Sequence, residues 1–131
     1  MKREFSNAEV ESILSVLNNK DSFTFDVKMP PQIRHAIRVN RQLLVDRFKL
    51  YQEGRSDIIK SYINNGHAQQ VENGIHVDDE YKNALLHELK ELSEVKNEFE
   101  IQKIDKEVLD NFLNMQDLTM TEEDVLLLFE E

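Results

Sequence analysis

The sequence predicts a single, mostly α domain with minor β structure (α+β), organised around a long antiparallel helical hairpin. Three observations carry that prediction. Apolar residues recur at helical spacing from Pro31 to about Asn65 and again from Asp78 to about Val95, and the segment between them holds Asn73-Gly74, the preferred pair of a tight β-turn. The other apolar runs are short, as befits elements that pack on a scaffold. A length of 131 residues suits one core and is too small for two, so residues 1–131 are expected to form one domain. With 40% hydrophobic and 32% charged residues, and only three Gly and two Pro, the chain has the balance of a folded, helix-rich protein.

Taken in order, Ser6-Asn7-Ala8-Glu9 reads as a capping box, and Val10, Ile13, Leu14 and Leu17 follow at helical spacing. A first helix is expected from about Asn7 to Asn18. Phe23, Phe25, Val27 and Met29 alternate with polar residues, the period of a half-buried strand, which Pro30-Pro31 ends. Pro31 suits the first turn of the long helix, whose apolar face holds Ile33, Ile37, Leu44, Phe48, Tyr51, Ile58 and Tyr62. Gly54 is its weak point, and Asn64-Asn65-Gly66 its stop. Gln69-Gln70-Val71 and Ile75-His76-Val77 flank Glu72-Asn73-Gly74 as a small β-hairpin with a type I′ turn.

Asp78-Asp79-Glu80 then sets negative charge at the start of the second long helix, with Tyr81, Leu85, Leu89, Leu92 and Val95 as its stripe. Phe99 and Ile101 face inward from a short strand that could pair with the Phe23 strand. Asp105 stands where it can cap a helix carrying Val108, Leu109, Phe112 and Leu113, and Thr121 with Asp124 resembles a weaker capping box for a final helix. The apolar run at residues 125–129 is expected to dock on the core, with an oligomer contact as the alternative.

Charge separates the two halves. Residues 1–77 hold 11 Lys/Arg against 9 Asp/Glu, a net +2, whereas residues 78–131 hold 5 against 17, a net −12. Either the halves cover one another, or an acidic surface is left for a basic partner. Direct nucleic-acid binding is not expected, because phosphate contacts need a net basic face. Cysteine is absent, so no disulfide or thiolate metal site forms, and the N-terminal residues Met1-Lys2-Arg3-Glu4 lead into no signal-like apolar stretch. No window approaches the ~18 apolar residues of a membrane span. A cytoplasmic protein with no cofactor is the expectation.

Candidate sites are few. Arg34, Arg38 and Arg41 fall at i, i+4 and i+7 and form a basic stripe able to grip a phosphate-bearing ligand or an acidic partner, or else the acidic half of the same chain. Asn40, Arg47 and Arg55 lie near the apolar face of the first long helix, and Glu88 lies on that of the second. An antiparallel arrangement would let Glu88 form a partly buried structural ion pair with Arg47 or Arg55. His67 and His76 flank the hairpin near Asp78 and Asp79, but the four histidines show no metal-ligand spacing and no metal site is expected. There is no phosphate-binding Gly loop, nucleophile elbow or recognisable acid pair, so no catalytic residue is assigned.

The order of segments carries a resemblance. Phe23-Thr24-Phe25-Asp26-Val27-Lys28, the helix with Ile37-Arg38-Val39-Asn40, then His87-Glu88-Leu89-Lys90-Glu91-Leu92 and Phe99-Glu100-Ile101 resemble small proteins of bacteriophages and prophages of Gram-positive bacteria. That resemblance implies a phage or prophage setting and a non-enzymatic role in the infected cell or in particle assembly. It gives no role to individual residues. The leading expectation is an acidic interaction protein that binds a host or phage protein, as an inhibitor of a defence or nucleic-acid enzyme. The alternatives are an assembly factor that self-associates through the helical hairpin, and a phosphate-ligand binder using the arginine stripe.

Overall fold

The computed structural model describes residues 1–19, 22–23 and 29–131. Within them the order is β1 (Lys2–Ser6), α1 (Asn7–Leu17), α2 (Pro31–Asn64), β2 (Ala68–Val71), β3 (Gly74–Val77), α3 (Asp79–Glu94), β4 (Lys96–Glu100), α4 (Lys106–Met115) and α5 (Met120–Leu127). The architecture is mostly α, with two small antiparallel sheets among the described residues, β1–β4 and β2–β3.

The helices α2 and α3 form the long hairpin. Gly54 faces Leu92, Tyr62 meets Glu88 and the His67 ring stacks on Tyr81 at 3.6 Å, so contacts climb α2 as they descend α3, which is the antiparallel arrangement. Its base joins the main core, whereas the buried Leu85 and Ala68 towards its far end lie outside that core cluster. Phe5, Val10, Ile33, Leu44, Ile104, Leu109, Leu126 and Phe129 belong to one core cluster formed by the N-terminal part of α2 with α1, α4, α5 and the β1–β4 sheet. Asn7 ties three pieces of that base together: its Nδ2 donates to the Leu92 carbonyl at 2.8 Å, and its Oδ1 accepts from Asn97 Nδ2 at 2.9 Å. The final segment docks as expected, with Val125, Leu126 and Phe129 buried.

Where the structure departs from expectation, the reasons are local. Phe99 and Ile101 are inward, but β4 pairs with β1 in the register Arg3 to Phe99, and not with a strand at Phe23. Phe23 lies in a turn with φ 56°, and the rest of the expected strand, residues 24–28, lies outside the described residues. β1 carries a single apolar side chain, Phe5, so the period-2 signal that marks a strand is missing from it.

The hairpin turn is not type I′. Val71 pairs with Gly74, which makes Glu72 and Asn73 the central residues, and type I′ needs positive φ at both. Positive φ falls on Gly74 instead, at 139°. The capping box of α5 is Thr119 with Glu122, two residues before the expected Thr121 and Asp124. Glu122 has the longer side chain that reaches back to the N-cap amide. Asp105 does hold the N-cap position of α4 without capping it; its Oδ2 accepts from Gln32 Nε2 at 3.2 Å, and its N–H donates to Gln32 Oε1 at 2.7 Å.

Candidate interaction surface

The arginine stripe occupies the first three turns of α2. Arg34, Arg38 and Arg41 are all exposed, and among the described residues their one hydrogen bond runs from Arg34 Nη2 to the Met29 carbonyl at 3.4 Å. Arg34 and Arg38 join Met29, Pro31 and His35 around a cleft of about 420 Å³, which Arg41 does not reach. The N-cap, Pro30, has no side-chain acceptor, and no acidic residue stands in the first turn. The positive end of the helix therefore adds to the charge of the stripe.

The acidic half does not cover it. Among the described residues the ion pairs join Met1 to Glu100, Lys2 to Glu98, Lys82 to Asp79, His87 to Glu91, Lys96 to Glu4 and Lys103 to Glu131. None of the six arginines takes part. Three of these pairs, Met1–Glu100, Lys2–Glu98 and Lys96–Glu4, join the two halves, while the arginine stripe and most of the other carboxylates face solvent.

The expected structural pair of Glu88 with Arg47 or Arg55 is absent among the described residues. Glu88 is exposed and bonded to Tyr62, while Arg47 lies over the Phe99 ring at 5.9 Å and Arg55 over the Tyr51 ring at 5.8 Å. The observed contact explains it: Glu88 meets Tyr62, and Arg47 stands 15 residues back from Tyr62 along α2, about 22 Å at 1.5 Å per residue. Arg55 is about 10 Å back on the same rise and turns to its own helix. The hydrogen bond to Glu88 holds the Tyr62 hydroxyl above its usual pKa, with burial and the Glu88 charge acting in the same direction.

At the base, burial pushes the Glu122 carboxyl up, but the Phe23 N–H at 2.7 Å, the Thr119 hydroxyl and the Thr119 N–H outweigh it and hold the group below the ordinary carboxylate range. Glu122 thus fixes a left-handed Phe23 as well as the start of α5. Asp79 is lowered by its bond to Lys82 and by the Lys82 charge. Among the described residues no three His, Asp or Glu side chains converge as metal ligands, and His67 spends its ring on Tyr81. No helix among them is long and apolar enough to cross a membrane.

The sheet presents a further surface. Its outer face is a ladder of charge, Lys2 to Glu98 at 3.4 Å and Lys96 to Glu4 at 3.8 Å, with the Met1 ammonium on Glu100 at 3.1 Å. Beside β4, a groove of about 290 Å³ is lined by Leu43, Asp46, Arg47 and Leu50 of α2 and by Glu98, Phe99 and Glu100. Sequence reading missed this groove. The available signal was Leu43 and Leu50, seven residues apart and off the main apolar face of α2. No family model, curated protein or solved structure matches the chain.

Proposed function

We propose that this chain is a non-enzymatic interaction protein of phage or prophage type, which binds a basic host or phage protein through its acidic second half. The observation that carries the reading is the lack of any arginine–carboxylate pair among the described residues, in a chain whose residues 78–131 hold a net −12. Carboxylates left on the surface steer a basic partner, and a basic surface that normally meets nucleic acid is the natural target, so inhibition of a defence or nucleic-acid enzyme follows. Cytoplasmic action fits such a partner.

The test is affinity capture from a Gram-positive host lysate at low ionic strength. A discrete partner released by added salt supports the proposal; no partner, or a complex indifferent to salt, opposes it. A second reading, assembly through the helical hairpin, draws on Leu50 and Leu86, which are 58% and 64% exposed on its two arms. Sedimentation over a wide concentration range decides it, since a constant monomer mass excludes self-association.

A further inference from the structure

Hydrogen-bond parity tells which way each residue of β4 turns its backbone. The Ile101 N–H donates to the Met1 carbonyl at 2.7 Å and the Asn7 N–H to the Val95 carbonyl at 3.0 Å, so in this register the odd-numbered residues of β4 bond to β1. Glu98, Glu100 and Gln102 point their N–H and C=O groups the other way. At Gln102 the outward groups are taken by the side chain of Asn40, through bonds of 2.7 and 3.0 Å. At Glu98 and Glu100 no group among the described residues takes them.

The groove described above lies along this open edge. Consecutive strand side chains project to opposite faces, so a groove lined by Glu98, Phe99 and Glu100 together must run past the strand's edge, and β1 occupies the other edge. Asn40 places α2 on the same side. Leu43 and Leu50, 36% and 58% exposed, form a floor on which a further strand, ~4.8 Å from β4, would rest.

We propose that the outer edge of β4 receives an extended segment of a partner protein, with basic and apolar residues in alternation, as a third strand of the β1–β4 sheet. The rim chooses the chemistry: Asp46, Glu98 and Glu100 outnumber Arg47 in the groove's lining, and among the described residues the two glutamates meet only the exposed Lys2 side chain and the Met1 ammonium on their outer side. Side chains of the incoming strand that face α2 cover Leu43 and Leu50. Those that face outward are Lys or Arg, set beside Glu98 and Glu100, whose present ion pairs are 62% and 71% exposed on the carboxylate side. A second copy of this chain suits the edge poorly, because an antiparallel β4–β4 pair centred on Glu98 opposes Glu98 to itself between chains of net charge −10.

This inference rests on the proposed function and names the surface and the form of the partner. Its test uses the full chain, labelled for NMR, and three synthetic hexapeptides: alternating Lys/Val, alternating Glu/Val, and the Lys/Val peptide N-methylated at alternate residues so that it cannot pair along one edge. The expected result is that Lys/Val alone slows amide exchange at Glu98 and Glu100 by about tenfold at saturation and shifts the Leu43 and Leu50 methyl signals. Leu50→Lys, at an exposed position, should abolish both effects while leaving the remaining spectrum unchanged.

Equal binding of the N-methylated peptide, or shifts centred away from β4, would overturn the proposal. So would protection of Glu98 and Glu100 that accompanies a doubled mass without peptide. The two readings separate in the lysate experiment. If Leu50→Lys captures the same partner as the wild type, the β4 site is wrong and the proposed function stands; if the wild type captures none, the proposed function is itself wrong.

Discussion

The buried side chain of Asn40 holds both outward backbone groups of Gln102: Oδ1 accepts the N–H at 2.7 Å and Nδ2 donates to the carbonyl at 3.0 Å. It does for one residue what a neighbouring strand would do. Asn40→Leu leaves a donor and an acceptor unpaired and should cost about 2–4 kcal/mol in chemical denaturation. Asn40→Asp keeps the acceptor but sets a buried carboxylate against the Gln102 carbonyl. Its folded-state pKa is raised, so that variant should regain stability as the pH falls and the acid regains a proton to donate.

Glu122 has the opposite sign. Its carboxyl is held below the ordinary glutamate value of 4.5, so its contribution is complete above that value and is lost as the pH falls through the lowered one. Glu122→Gln should cost about 1 kcal/mol at neutral pH, and the denaturation midpoints of variant and wild type should converge in acid.

At Gly54, a Cβ would sit 3.2 Å from Leu92 Cδ2, a flexible and partly exposed tip. The tip can yield. Gly54→Ala should therefore gain about 0.5 kcal/mol from helix propensity, read as a rise in thermal midpoint. Gly54→Phe has no such escape and should separate α2 from α3, visible as increased amide exchange across the hairpin.

Arg47 and Glu88 should prove uncoupled. A double-mutant cycle on Arg47→Leu and Glu88→Gln is expected to give an interaction energy near zero, within ~0.3 kcal/mol, and Arg47→Leu alone should lose no more than the ~0.5–1 kcal/mol of a cation–π contact. Glu88→Gln should lower the Tyr62 pKa towards its ordinary value, which an NMR pH titration of the tyrosine rings would follow.

Periodicity made the hairpin, α1 and α4 legible, and the apolar run at residues 125–129 marked α5. It could not show β1, whose pairing is set from about 95 residues away by β4 and whose own pattern offers only Phe5. Charge counting exposed the split between the halves but not the neighbours of any one charge. Glu88 illustrates the gap: a helical wheel places it near the α2 face, and only the register of the two helices decides that Tyr62 meets it rather than Arg47 or Arg55. The arginine stripe was readable at Arg34, Arg38 and Arg41, whereas the β4 edge depends on hydrogen-bond parity, which no side-chain pattern encodes.

The hairpin also has a kinetic consequence. Pairing Lys2 with Glu100 in an unfolded chain means closing a loop of about three quarters of the sequence, an entropic penalty that precedes any reward. When α2 and α3 zip from the β2–β3 turn, the chain between residues 31 and 94 doubles back, and β4 is delivered next to the residues that will hold it. The expected order of events runs from the tip inward. Destabilising substitutions in β1 should then leave the folding rate almost unchanged and accelerate unfolding, while those between Gly54 and Leu92 should slow folding itself.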